Sequence, residues 1–241
     1  VVPKLAGLGI FIRFTLALNL FGQSNFDWQY IACIVAILSL TVGNFSALWQ
    51  KRPKRLMAYC SIAQSGFLIV GLAAFIPSGI NFMLFYATVY VLGNYLVFIY
   101  LQYFQNMGVL TLEGFTGVGK KFVWPCVFLL VGFIALTGLP PTAGFTAKLF
   151  IFSAVWESYH LSGKPILVWL LVFGLLNTVV ALFYYLKIPF YAFVKSREFD
   201  VQIRNQTFEN LFGASLVLMI LILFFKPDLL MRWINKINFV L

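Results

Sequence analysis

The chain is predicted to be an all-α, polytopic membrane protein with about seven transmembrane helices, one of them broken, and three observations lead there. Hydrophobic residues fill 62% of its 241 positions, and only 10% are charged, against about 25% in an ordinary soluble domain. Mean hydropathy is +0.94. The few charges also act as punctuation: Lys51, Arg52, Lys54 and Arg55, then Lys120 and Lys121, then Lys195, Arg197 and Arg204 separate apolar runs.

A helix needs roughly 20 apolar residues to cross about 30 Å of hydrocarbon. Runs near that length occur at 1–21, 30–49, 56–75, 80–105, 122–156, 165–194 and 208–225. Each should be a helix, because lipid offers no hydrogen-bond partner to an open backbone. The fifth is long and interrupted. Loops 51–55, 106–121 and 195–206 hold the basic residues just named, whereas 22–29, 76–79 and 157–164 hold Lys164 alone. The positive-inside rule places the first set in the cytoplasm or a mitochondrial matrix, with the C-terminus on the opposite side.

In the tail, Leu229, Leu230, Trp233, Ile234 and Ile237 recur at helical spacing against Asp228, Arg232, Asn235 and Lys236. That pattern suits either an amphipathic helix lying in the interface or a frayed end ordered by a neighbour. Trp49, Tyr103, Trp124 and Tyr159 stand where spans meet headgroups, as an aromatic belt would.

The net charge of +10 does not imply nucleic acid, since no basic face outside the spans is interleaved with stacking aromatics. Cys33, Cys60 and Cys126 fall in or beside spans without metal-ligand spacing and are expected to be structural thiols. His160, next to Tyr159 at a helix end, is expected to be interfacial. The sequence has no Gly-rich phosphate loop, nucleophile elbow or paired-carboxylate site. No flavin, iron-sulfur cluster or metal is therefore expected in this chain.

What remains is polarity inside the membrane. Pro140 and Pro141 lack backbone donors, and Gly138 and Gly144 loosen the chain around them, so a gap in the helix is expected at 138–144. Such a gap is tolerated only where protein or water satisfies the freed groups. Lys148 follows in the first turns of the second half-helix. A charged ammonium at mid-bilayer costs roughly 2.5 to 3.5 kcal/mol on insertion scales and marks a functional position by default. Burial and the positive end of the helix dipole both disfavour its charged form, the setting of a lysine that loads and releases protons. The other reading is a lysine that snorkels or pairs permanently with an acid.

The run at 136–152, Leu-Thr-Gly-Leu-Pro-Pro-Thr-Ala-Gly-Phe-Thr-Ala-Lys-Leu-Phe-Ile-Phe, resembles the signature of the antiporter-like membrane subunits of respiratory complex I, NADH:ubiquinone oxidoreductase. Two stretches agree with that family in order and spacing: Val-Val-Pro-Lys-Leu-Ala at 1–6 and Arg-Leu-Met-Ala-Tyr-Cys-Ser-Ile-Ala-Gln-Ser-Gly at 55–66. In the related subunit 4 the position of Lys148 is a glutamate, and subunit 5 continues into a long lateral helix, so the resemblance is to the subunit 2 family.

The resemblance implies fourteen helices, two inverted five-helix repeats and a chain of lysines along a hydrated mid-membrane axis. On that pattern this chain is the C-terminal half, helices eight to fourteen. Residues 1–28 would be the last helix of the first repeat, 29–206 the second repeat with its break, and 207–241 the final helix and amphipathic tail. Lys4 matches the connecting lysine of the eighth helix, and Lys148 the lysine of the broken twelfth.

The implied function is proton translocation through the lysine chain, coupled to quinone reduction elsewhere; a cation/proton antiporter subunit and a structural spacer of the membrane arm are the alternatives. FMN, iron-sulfur clusters and ubiquinone would belong to other subunits. Expected partners are the other membrane subunits, a separate chain or missing segment supplying the first repeat, and lipids such as cardiolipin. The expected location is the mitochondrial inner membrane, or alternatively the bacterial plasma membrane. Because Val1 is not an initiator methionine and Lys4 lies within a turn of the chain end, a split or partial subunit is expected.

The sequence departs from the family at Gln64, where histidine is common. Glutamine can hydrogen-bond a water wire but holds no proton. Ser61, Gln64 and Ser65 share a helical face, suited either to a water-lined path or to interhelical hydrogen bonds. Arg13, half a turn out of phase with Lys4, cannot release a proton and suits a structural or field-setting role. Lys187 lies within snorkelling reach of the basic end, for proton access or for anchoring. Glu157 is a possible partner or exit group.

Overall fold

The structure, a computed structural model, describes residues 6–14, 27–195 and 207–237, and among them all regular structure is helical. After a helical stretch at 6–14 comes α1 (Trp28–Leu48), started by Asp27, whose Oδ1 accepts the Tyr30 N–H at 3.2 Å. Helices α2 (Pro53–Ala73), α3 (Pro77–Asn106) and α7 (Pro165–Tyr185) each open on proline. In a first turn the missing N–H costs nothing and the fixed φ is already helical. A short α4 (Val118–Lys121) precedes α5 (Val123–Thr137) and α6 (Ala143–Ser162). Then α8 (Lys187–Pro189) runs into a π turn (Phe190–Val194), and α9 (Thr207–Phe225) and α10 (Asp228–Ile234) close the described chain.

Helices α1, α2, α3 and the stretch Pro165–Val194 are each long and apolar enough to cross a membrane, and α9 with α10 forms a bent pair, 84° apart. The expected broken span is the pair α5 and α6. With 15 residues α5 is about 22 Å long and cannot cross alone. Of the first expected span, only 6–14 is described. In the tail, α10 turns away from α9, buries Ile234 and exposes Trp233, while Asn81 Nδ2 donates to Asn235 Oδ1 at 3.1 Å.

One boundary differs from expectation. The gap covers 138–142, and Gly144 lies inside α6 rather than in the gap. Its role is steric, as shown below.

The broken pair sits in the middle of the bundle, with α6 packed on α2, α3, α5, α7 and α9, and with α1 lying across α2 and α7. The core between them is aromatic; Phe67, Phe85, Phe133, Tyr100, Tyr184 and Tyr185 are fully buried. The outer faces of α1 (Leu38, Val42, Phe45) and α7 (Leu175, Leu176, Phe183) remain apolar and exposed, as lipid or another chain requires.

Candidate functional site: a lysine in a helix break

The site is built by the end of one helix and the start of the next. Gly138 ends α5 at φ +84°, a left-handed conformation that costs glycine nothing, and its N–H returns to Ile134 O at 2.9 Å. A Cβ there would stand 2.7 Å from Lys148 Cδ, so the same glycine makes room for the lysine stem. A Cβ on Gly144 would run into the Ala135 carbonyl oxygen. The start of α6 therefore crosses the end of α5 closer than any side chain allows. Pro140 and Pro141, joined by a cis peptide, form the exposed outer edge of the gap.

Breaking the ladder leaves carbonyls of the last α5 turn without intrahelical partners. Two of them are taken by side chains. Lys148 Nζ donates to Thr137 O at 2.8 Å and to Thr178 Oγ1 at 3.3 Å, and lies 4.0 Å from the centre of the Phe67 ring. Gln64 Nε2 donates to the neighbouring Leu136 O at 2.9 Å, while its Oε1 accepts from Tyr86 Oη.

Lys148 is only 4% exposed, and it reaches no surface, which removes the snorkelling reading. Among the described residues no carboxylate bridges it; the ion pair there joins Lys164 to Asp27 at 2.6 Å, at the other end of the bundle. A hydroxyl, a carbonyl and an aromatic face stabilise an ammonium without neutralising it.

A second polar chain runs from Gln64 toward α1. Gln64 Nε2 is 3.4 Å from Tyr185 Oη, the Cys60 thiol lies against the hydroxyls of Tyr184 and Tyr185, and Tyr184 Oη donates to Asn44 Oδ1 at 2.7 Å. Asn44 Nδ2 donates to Asn177 Oδ1 at 3.0 Å. Sequence reasoning missed Tyr86, Thr178, Tyr184 and this asparagine pair. The available signal was Asn44 and Asn177 standing alone in apolar runs.

The remaining expected residues fall as follows. Of the face Ser61, Gln64 and Ser65, Gln64 reaches the break; Ser61 Oγ donates to Ala58 O at 2.9 Å and lies against the Tyr90 hydroxyl, and Ser65 Oγ donates to Ser61 O at 2.9 Å. Gln64 thus takes the interhelical reading. Lys187 Nζ donates to Leu48 O at 2.6 Å, at the C-terminal end of α1, the place where a helix dipole favours a cation. Glu157 accepts from Ser78 Oγ at 3.2 Å, exposed and far along α6 from Lys148. Arg13 is exposed. Lys4 lies outside the described residues. Cys33, Cys60 and Cys126 are buried and unbridged, and among the described residues no cluster of metal-ligating side chains occurs. At the non-basic end, the Lys164 hydrogen bond holds the Asp27 carboxyl below its ordinary range.

The family model described as NADH:quinone oxidoreductase/Mrp antiporter, TM, matches residues 1–180, which include the break and Lys148. NADH-quinone oxidoreductase subunit N 2 of Chloroherpeton thalassium is 36% identical over 201 residues, 81% of this chain and 38% of that protein. Subunit N 2 of Solidesulfovibrio magneticus is 31% identical over 228 residues, 94% of this chain and 46% of its own length. The chain thus spans less than half the length of these relatives. Among solved structures, a chain of respiratory complex I from Thermus thermophilus superposes with TM-score 0.65 at 26% identity, over 84% of this chain and 44% of that one. A chain of the Mrp complex from Dietzia shares the fold, with TM-score 0.75 at 16% identity, over 87% of this chain and 46% of that one.

Proposed function

The chain belongs to the NADH:quinone oxidoreductase/Mrp antiporter transmembrane family, and from that premise we propose that it forms part of a proton-translocating membrane-arm subunit of an NADH:quinone oxidoreductase. The observation that carries this reading is Lys148, buried in a helix break where its partners among the described residues are neutral.

In this reading Lys148 is the proton carrier. Thr137 O and Thr178 Oγ1 hold its ammonium, and Phe67 covers it. Gln64 keeps the break rigid through Leu136 O while the lysine changes charge. Lys4 is the connecting lysine toward the first repeat, which residues beyond this chain supply. A unit charge arriving about 8 Å away, at an effective dielectric near 20, changes the energy of the ammonium by roughly 2 kcal/mol. That equals about a thirtyfold change in its protonation equilibrium, enough to drive transfer. Redox chemistry with FMN, iron-sulfur clusters and ubiquinone belongs to other subunits. Those subunits, and lipid, cover the apolar outer faces of α1 and α7. The relatives named above are bacterial, which favours a bacterial plasma membrane with the basic loops in the cytoplasm.

The test is Lys148→Met in an otherwise assembled complex. Proton pumping by membrane vesicles should fall at least about tenfold; unchanged pumping and turnover would overturn the role. The second reading is a cation/proton antiporter subunit, favoured by the shared fold of the Mrp chain. Copurification with NADH:quinone reductase activity decides against it, and copurification with Na+/H+ exchange alone decides for it.

A further inference from the structure

Lys148 stands on a boundary inside the bundle. Toward the basic end lie the groups that hydrogen-bond around the break and beyond it, Gln64, Tyr185, Cys60, Tyr184 and Asn44. Toward the opposite end the next buried polar cluster is formed by Gln29, whose Nε2 donates to Ser158 Oγ at 3.1 Å and to Ala73 O at 3.0 Å. Ser158 follows Lys148 by ten residues of α6, about 15 Å of helix.

The layer between them is apolar and largely aromatic. Across it the buried positions of α6 are Ile151, Ala154 and Val155, and Ser153 is exposed, donating to Phe150 O. Residues 66–73 of α2 and 82–85 of α3 carry no side-chain nitrogen or oxygen. Phe67 opens the layer. It is buried, its ring centre lies 4.0 Å from Lys148 Nζ, and it meets Phe152 edge to face at 6.2 Å. Below it Phe150 stacks on Phe82 at 4.9 Å and meets Phe85 at 5.3 Å. Gly174 of α7 leaves the space that Phe152 fills, since a Cβ there would stand 2.7 Å from the ring. A proton crosses such a layer only along groups or waters that can hold it, and a buried water needs two to four polar partners. These segments offer it no side-chain partner, and a charge left alone there is strongly disfavoured.

We propose that Phe67, backed by Phe152, is a proton seal: a positioning residue that holds the Lys148 ammonium on its ring face, turns it toward Thr137 O and Thr178 Oγ1, and keeps water of the non-basic side away from it. The role rests on Lys148 as the proton carrier. A ring face attracts the charged amine and not the neutral one, so the contact is firmest when there is a proton to lose. Access to Lys148 is left to the polar groups around Gln64.

The test uses membrane vesicles holding the assembled complex. An imposed pH difference without NADH drives passive proton entry, read by trapped pyranine, and NADH oxidation is measured in parallel. Phe67→Ala should raise passive entry at least about tenfold while NADH oxidation stays above about half of the parent rate, so that protons moved per NADH fall. Phe67→Leu, which refills much of the space with apolar atoms, should bring the leak back to within about threefold of the parent. Phe152→Ala, at a half-buried position, should leak in the same direction, and it carries the test if Phe67→Ala does not assemble. Adding Lys148→Met to the leaking variant should return the leak to the parent level. A parent-level leak in both alanine variants, or a leak that survives Lys148→Met, overturns the proposal. Unchanged pumping in Lys148→Met alone overturns the carrier reading instead, which tells the two failures apart.

Discussion

Lys148 Nζ and the Thr137 carbonyl oxygen lie 2.8 Å apart, and this bond joins the two halves of the broken helix. The group proposed to carry the proton is also a fastener of the gap that makes room for it. A hydrogen bond from a charged donor contributes about 1.5–3 kcal/mol, and a neutral one about 0.5–1.5. The hold on Thr137 therefore slackens when the proton leaves. One carbonyl away, Gln64 holds Leu136 O whatever the charge of Lys148.

Gln64→Leu leaves both Leu136 O and the Tyr86 hydroxyl without their partner. Each buried group so orphaned costs about 1–3 kcal/mol. The melting temperature of the purified protein should drop by several degrees, and proton pumping should fall with it. Gln64→His, which keeps one ring donor, should recover most of both; a Leu variant that melts like the parent would contradict the assigned role.

Gly144→Ala places a methyl group on the Ala135 carbonyl oxygen, a backbone atom that cannot rotate away. Overpacking of this kind costs about 1–3 kcal/mol and sometimes more. The expected result is less assembled protein and a lower melting temperature, checked by size-exclusion yield and thermal melts. A neutral result would mean that the half-helices cross less closely than described.

Asp27 and Lys164 pair at 2.6 Å, with side chains 46% and 37% exposed. The lysine's hydrogen bond lowers the Asp27 pKa below its ordinary 3.8. A depressed carboxylate adds stability that is fully present above its unfolded value and is lost as pH falls through the lower folded value. Melting curves should therefore be flat in this contribution from pH 7 to 5 and lose it below about pH 4. Asp27→Asn keeps the helix cap while deleting the ion pair, so it should cost under about 1 kcal/mol near neutral pH, less at high salt. A loss of several kcal/mol would show that the pair is not screened as its exposure implies.

Lys187→Gln retains a donor directed at the carbonyl end of α1 while removing the amine. If Lys187 is an anchor, pumping should stay above about half of the parent level, with a stability change of under about 1 kcal/mol. Pumping reduced tenfold would assign it to proton access instead.

The helical, membrane-spanning class, the basic face and the gap near Pro140 were readable from the chain alone, because lipid imposes near-absolute rules on hydropathy, charge and backbone closure. Lys148 was readable for the same reason: a lone amine in an apolar run is conspicuous. Its surroundings were not. That Thr137 O and Thr178 Oγ1 would accept its hydrogen bonds, that Gln64 would take Leu136 O, and that Gly144 would belong to the helix instead of the gap depend on how α2, α5, α6 and α7 cross. In an apolar bundle, packing decides those crossings, and many side-chain arrangements satisfy one hydropathy pattern. Helical spacing places Ser61 and Ser65 beside Gln64, and each also donates to a carbonyl of its own helix, an option that spacing does not reveal.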